Sequence, residues 1–176
     1  GFIYAAVGLH PEELGRMDSG SLEKIRALAA HPKCVAIGEI GLDYYWDDSR
    51  KDEQKRLLAC QLELALELDK PVIIHDRDAH ADCFDIVSRY SALRGVFHCY
   101  SGSAEMAREL LKRGWYLGFD GPVTYKNARR AIEVLEVCPV ERILIETDSP
   151  YLSPVPMRGK RNDSRNLRYI AAKIAE

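Results

Sequence analysis

The sequence predicts an α/β fold and, within that class, a TIM-like (β/α) barrel. Three observations predict it. Six short apolar runs lie along the chain, at residues 2–9, 34–43, 71–76, 95–102, 115–121 and 142–148. They are apolar on both faces rather than alternating, as strands of a parallel sheet covered by helices are. Segments with helical periodicity separate them, which makes repeated βαβ units. Nearly every strand run also ends in an acid or an imidazole, and in a (β/α) barrel that end is the active-site face. A doubly wound sheet would instead gather its ligand contacts at one crevice between two strands.

The elements follow in order. The first run, FIYAAVGL, leads into His10-Pro11-Glu12. A helix comes next, with Leu22, Ile25, Leu28 and Ala29 on one face. The second run, CVAIGEIGLD, carries Glu39 near its middle and Asp43 at its end. Leu58, Leu62, Ala65 and Leu66 mark the face of the following helix. The third run, PVIIHD, delivers His75, and the fourth, GVFHCYSG, carries His98. Ser103 then offers an N-cap to a helix faced by Met106, Ala107, Leu110 and Leu111, and Gly114 offers its stop. The fifth run, WYLGFDG, holds Asp120 near its end. Ala131, Ile132 and Leu135 face the next helix, before Pro139. The sixth run, RILIETD, carries Glu146 and Asp148.

Composition supports one globular domain over residues 1–176, since 47% hydrophobic residues can fill a core and 30% charged residues can cover it. No apolar run approaches the roughly 20 residues of a transmembrane helix, and the first residues carry no signal-peptide pattern. Cys34, Cys60, Cys83, Cys99 and Cys138 are odd in number and form no C-x-x-C pair, which suits reduced thiols in a cytoplasmic protein. A monomer is expected. A net charge of −2 excludes a broadly basic nucleic-acid-binding surface and leaves room for a local basic patch. The chain starts inside a strand-like run, without methionine, and ends inside a helix-like run, YIAAKIAE. A piece of a longer protein is the expectation.

The polar residues at the strand ends carry the chemistry. A buried, unpaired carboxylate is costly, so Glu39 calls for an arginine such as Arg77, a proton or a metal ion. Glu39, His75, His98 and Asp148 combine oxygen and imidazole donors. That set suits Mg²⁺, Mn²⁺ or Zn²⁺ and argues against a thiolate-held metal. One or two divalent ions are the expected cofactor. A lone histidine in apolar surroundings is usually a packed core residue; four such residues at equivalent strand positions are what point to metal. Cys99 alternates to the face opposite His98 and is expected in the helix layer. His31 and His80 are expected at the surface. His10 also stands at a strand end, where support of a ligand and contact with substrate are both open.

The segment PVPMRGKRN, residues 154–162, sets Arg158, Lys160 and Arg161 around Gly159. A run of cations is by default a solvated face. Loops after the last strands of a barrel frequently bind phosphate, however, so these three are expected substrate contacts, with Arg77 adding a fourth.

The stretches GEIGLDYY, PVIIHDRDAH, FHCYSG, ILIETDSPYL and RGKRN, in this order and over essentially the whole chain, resemble the TatD family of metal-dependent hydrolases in the amidohydrolase superfamily. The resemblance implies a TIM-like barrel, a one- or two-metal site and Mg²⁺-dependent DNase activity, often 3′-to-5′ on single strands. It implies DNA, as single strands or nicked ends, as the partner. It implies Glu39 as the metal-bridging carboxylate, His75 and His98 as ligands of the second metal, and Asp148 as a ligand of the first. The arginine of the family's H-x-R motif falls on Arg77. Family members open with a strand carrying an H-x-H pair, and this chain has none. The resemblance therefore implies a barrel lacking its first two strands and last helix, with the first metal site incomplete. The acidic residue usual four positions after the H-x-R arginine is replaced by Ala81, with Asp82 next.

The expected activity is phosphodiester hydrolysis by a 3′-5′ exodeoxyribonuclease on single-stranded DNA. Asp148 and Glu39 are the expected catalytic residues: Asp148 orients the attacking water and takes its proton, and Glu39 holds the metals. Arg77, Arg158, Lys160, Arg161 and His10 are the expected substrate contacts. Tyr44, Tyr45 and Tyr125 near the mouth are expected to pack, with stacking on splayed bases as the alternative. Two other readings stand beside this one. They are an amide or ester hydrolase of the same superfamily, and a non-catalytic nucleic-acid-binding barrel.

Overall fold

The structure, a computed structural model, describes residues 1–176. Six strands alternate with six helices: β1 (Ala5–Val7), α1 (Ser21–Ala29), β2 (Cys34–Asp43), α2 (Lys51–Glu67), β3 (Val72–Arg77), α3 (His80–Val87), β4 (Gly95–Phe97), α4 (Ala104–Lys112), β5 (Tyr116–Phe119), α5 (Arg129–Leu135), β6 (Ile143–Ile145) and α6 (Leu167–Ala175). The chain forms two compact units, Gly1–Val96 and Phe97–Glu176.

In the first unit β1 runs parallel to β2 and β2 parallel to β3, with Gly41 opposite His75, Leu42 opposite Asp76 and Asp43 opposite Arg77. This is the pairing that strands apolar on both faces require. Ile37, Ile40 and Leu42 of β2, Val72 and Ile74 of β3, and Leu58, Leu62 and Ala65 of α2 are fully buried together in this unit's core. Each large aliphatic side chain so placed contributes about 1.5–3 kcal/mol of transfer free energy. β2 matches its predicted run residue for residue. β1 is shorter than the run 2–9, and Phe2, Ile3 and Tyr4 stand exposed before it. Leu28 and Leu66, expected on buried helix faces, are exposed too. Each sits at the margin of its stripe, where Ile25 and Ala29, or Leu62 and Ala65, already make the contact.

In the second unit β5 runs parallel to β6, pairing Leu117 with Ile143 and Phe119 with Ile145. Phe97, Leu110, Trp115, Leu117, Phe119, Val134 and Ile170 are buried. Phe97 and Trp115 meet edge to face, ring centroids 5.2 Å apart. The α4 boundaries are the expected ones: Ser103 Oγ accepts the Met106 N–H at 3.3 Å, and Gly114 follows with φ 83°. β4, β5 and β6 are shorter than their predicted runs. The chain leaves extended geometry where it bears polar side chains. Cys99 (φ 43°) and Asp148 (φ 49°) are left-handed, a conformation that ends a strand. His98, Asp120 and Glu146 therefore stand just after their strands rather than inside them. No helix is long and apolar enough to cross a membrane.

Candidate metal centre

Each unit carries one cluster of ionisable side chains. In the first unit the cluster is built on the β2–β3 pair. Gly41 sits against β3 so closely that a Cβ there would lie 1.9 Å from the His75 carbonyl oxygen, so only glycine permits this register. The register brings Glu39 and His75 together. His75 Nδ1 lies 2.8 Å from Glu39 Oε1, and its Nε2 lies 2.9 Å from Asp43 Oδ2. His10, in the link after β1, points Nε2 at the same Glu39 oxygen from 3.7 Å, and its ring stands edge-on to that of His75 with centroids 4.4 Å apart. The His10 Nδ1 accepts the Glu12 N–H at 3.3 Å, which fixes the ring's orientation.

The ligand atoms of His10, Glu39 and His75 all lie within 4.8 Å of one another. Ligands about 2.1 Å from one shared ion lie roughly 3–4 Å apart, so shifts of an ångström or less let these three hold a divalent cation. The donor set, one carboxylate and two imidazoles, fits Zn²⁺ or Mn²⁺ and admits Mg²⁺ through the carboxylate. Burial disfavours a charged His75 ring, but the hydrogen bonds and charges of Glu39 and Asp43 outweigh that cost and raise its pKa. A metal ion would take these imidazoles in their neutral form.

Arg77, the arginine considered for Glu39, lies elsewhere. Its guanidinium sits over the rings of Tyr45, 4.0 Å from the centroid, and Trp46, 5.5 Å away. Asp43 takes the place beside His75. It is buried, and its second oxygen accepts the Tyr45 and Trp46 N–H groups at 2.9 and 3.0 Å. Gln54 of α2 holds the Asp43 backbone from both sides, accepting its N–H and donating to its carbonyl, each at 2.8 Å. Asp43 was visible at the end of a strand run, yet nothing local marked it as the partner of His75.

The second unit carries His98, Glu146, Asp120, Cys99 and Asp148. His98 Nδ1 lies 2.9 Å from Glu146 Oε2, and Glu146 Oε1 accepts the Cys99 N–H at 2.6 Å. Gly118 on β5 makes room, since a Cβ there would lie 2.3 Å from Glu146 Oε1. Burial, reinforced by the charges of Glu146 and Asp148, raises the Asp120 carboxyl to about 7, against the opposing Cys99 hydrogen bond and the His98 charge. The Cys99 thiol thus faces Asp120 rather than the helix layer, and burial raises its pKa strongly. Asp148 is half-buried in the turn after β6. That turn is stapled by Asn162, whose amide donates to the carbonyls of Thr147 at 2.6 Å and Tyr151 at 2.7 Å.

The basic loop presents its cations to solvent. Arg158, Lys160 and Arg161 are exposed, and the Arg158 guanidinium covers the Tyr125 ring at 4.0 Å. The loop backbone is anchored where Ser153 Oγ donates to the Lys160 carbonyl at 2.5 Å. His31 is exposed as expected, whereas His80 is half-buried and meets the buried Asp76 carboxylate at 2.9 Å. The free cysteines carry no disulfide.

Comparison with known proteins adds a second line. The family model described as TatD related DNase matches residues 1–176. The uncharacterized metal-dependent hydrolase YabD of Bacillus subtilis is 50% identical over 177 residues, covering 99% of this chain and 69% of that protein. The 3′-5′ ssDNA/RNA exonuclease TatD of Citrobacter koseri is 39% identical over 181 residues, covering 98% of this chain and 69% of that protein. The crystal structure of YJJV, a TatD homolog from Escherichia coli, matches with a TM-score of 0.91 at 34% identity, over 98% of this chain and 68% of that one. The chain spans about two thirds of the length of these proteins. The structural match bears out the TIM-like α/β class predicted from the strand and helix pattern.

Proposed function

This chain belongs to the TatD family of metal-dependent hydrolases in the amidohydrolase superfamily, and from that premise we propose that it cleaves phosphodiester bonds in single-stranded DNA, from the 3′ end. The observation that carries the proposal is the His10–Glu39–His75 cluster, with its ligand atoms within 4.8 Å of one another. A divalent ion, Mg²⁺, Mn²⁺ or Zn²⁺, would supply an acidified water and a positive charge against the phosphoryl oxygens. His10, Glu39 and His75 are the proposed ligands in the first unit, and His98 and Asp148 are proposed separately as ligands in the second.

The remaining work falls to the chain's own residues. Asp43 engages His75 Nε2, which leaves Nδ1 on the side of Glu39 and fixes the ring as a ligand. Glu146 engages His98 Nδ1 and orients that ring in the same way. Asp148 orients the attacking water and accepts its proton. Arg158, Lys160 and Arg161 hold substrate phosphates, which their exposure supports. His10, with Nε2 3.7 Å from Glu39 Oε1, completes the donor set of the first unit. The printed activity of the Citrobacter relative supports single strands as substrate. The free thiols support a reducing compartment such as the cytoplasm as the place of work.

The test is release of nucleotides from 3′-end-labelled single-stranded DNA with Mg²⁺ or Mn²⁺. Mononucleotides that both a chelator and Asp148→Asn abolish are the expected result. No release from folded, metal-loaded protein refutes the nuclease and transfers the site to amide or ester cleavage, which charge reversal at Arg158, Lys160 and Arg161 would spare. No release together with no metal uptake leaves a nucleic-acid-binding barrel.

A further inference from the structure

We propose that Tyr45, Trp46 and Arg77 form a stacking site for the unpaired bases of a single-stranded nucleic acid; the choice of ligand rests on the nuclease proposal. The sequence marked Tyr45 for packing, with stacking on splayed bases as the alternative, and Arg77 for phosphate. The structure gives them a different arrangement. Just past the end of β2 the chain sets two large rings in solvent, Tyr45 at 55% and Trp46 at 64% exposure. Two adjacent exposed rings offer a large apolar surface with a polar edge for a ligand to cover. The rings meet edge to face, centroids 4.9 Å apart and planes at 85°, and the flat Arg77 guanidinium lies over both.

The platform is rigidly held. Both ring-bearing residues donate their N–H groups to Asp43 Oδ1, and Gln54 Nε2 reaches the Asp47 carbonyl at 2.9 Å. Trp46 also walls a cavity of about 300 Å³ together with Pro11, Leu14 and Arg50. A preordered aromatic surface capped by a planar cation matches the π-face of a nucleobase, which stacks on aromatic rings and guanidinium planes alike.

Charge selects between ligands. The neighbouring acids Asp47 and Asp48 oppose a dense array of phosphates, and Asp47 Oδ1 accepts from the Ser49 N–H and hydroxyl. A duplex offers phosphates outward and hides its bases, whereas a single strand can splay a base onto the rings. The same Asp43 carboxylate that holds the platform also holds His75, so the stacking surface and the metal ligand share one anchor.

The test needs no catalysis. The sequence has two tryptophans, and Trp115 is 2% exposed, so quenching of indole emission by an added oligonucleotide reports Trp46. The full chain in chelator is titrated with oligo(dT), with the same oligomer carrying abasic sites, and with a blunt duplex. Oligo(dT) should quench the emission, and the abasic oligomer and the duplex should not. By anisotropy of a labelled oligonucleotide, Trp46→Leu should weaken binding about tenfold while Trp46→Phe retains it, since stacking needs a ring and packing does not. Equal binding of the abasic and base-bearing oligomers overturns the proposal, as does unchanged affinity in Trp46→Leu. Emission that follows protein concentration and ignores oligonucleotide assigns the face to a second copy and also overturns it. A nuclease whose affinity for single strands ignores Trp46→Leu would sink the platform alone. Quenching without hydrolysis under Mg²⁺ would sink the nuclease alone.

Discussion

Replacing Gln54 by methionine tests how α2 holds the site. Gln54 is 2% exposed and makes three hydrogen bonds to backbone, with the Asp43 N–H at 2.8 Å, the Asp43 carbonyl at 2.8 Å and the Asp47 carbonyl at 2.9 Å. Methionine keeps the length and helix preference of glutamine and deletes all three partners. A buried backbone group left unpaired costs about 1–3 kcal/mol, and a group that water can reach costs much less. The two Asp43 bonds are buried; the Asp47 bond is partly open. Removing a buried amide returns part of the loss, so the expected destabilisation is about 3 kcal/mol. Gln61, two turns along α2, provides the internal comparison. It holds the Leu9 N–H at 2.7 Å and carbonyl at 3.0 Å, both only partly buried, so Gln61→Met should cost about 1–2 kcal/mol. Urea unfolding followed by far-ultraviolet circular dichroism, at unchanged m, measures both. A Gln54→Met loss under about 1 kcal/mol, or one smaller than that of Gln61→Met, would refute the assignment of Gln54 as the clamp of the β2 end.

Four further outcomes are expected. Asp43→Asn should lower Mn²⁺ affinity by about 10–100-fold in calorimetric titration, as loss of a carboxylate behind a ligating histidine does; wild-type affinity would show that Asp43 does not orient His75. Asn162→Leu removes the bonds to Thr147 and Tyr151 and strands the Asp163 N–H and Asn166 amide that its oxygen accepts. It should destabilise by about 2–4 kcal/mol and lower kcat, and wild-type kcat would detach the staple from the turn that bears Asp148. Gly41→Ala should prevent cooperative unfolding of the β2–β3 region, since the new methyl meets backbone that has no side chain to move; protected amides there by hydrogen exchange would contradict it. The Asp82 carboxyl is held below its ordinary 3.8 by hydrogen bonds from Lys55 and then Tyr44. A lowered folded pKa stabilises above the unfolded value, so the margin of the wild type over Asp82→Asn should be full above pH 3.8 and close as pH falls toward the lower folded value. A margin independent of pH would refute that pairing.

Local pattern carried much of this fold. β2 appears at its predicted bounds because a run of apolar and glycine residues interrupted only by Glu39, with Lys33 before it and Asp43 closing it, admits little else. Ser103 and Gly114 set the ends of α4 by chemistry that acts within one turn. The candidate ligands were legible for a similar reason, since an acid or imidazole at the end of an apolar run is visible without knowledge of the partner strand. The runs around β4 and β6 were read too long, because an apolar residue does not disclose that its neighbour, Cys99 or Asp148, will turn left-handed.

By itself, then, the sequence determined the α/β class, the order of its elements and the inventory of ligating side chains, because each depends on contacts within a few residues. Tertiary structure alone decided which of those side chains meet. Glu39 and His75 are 36 residues apart, and their contact exists through the register of β2 on β3. A slip of one residue would turn each to the opposite face of the strand. The same register sent Arg77 to Tyr45 and Trp46 instead of to Glu39, and gave Asp43 its place behind the imidazole. No local signal encodes a distance between strands, so the partners of a buried charge are settled only when the sheet has formed.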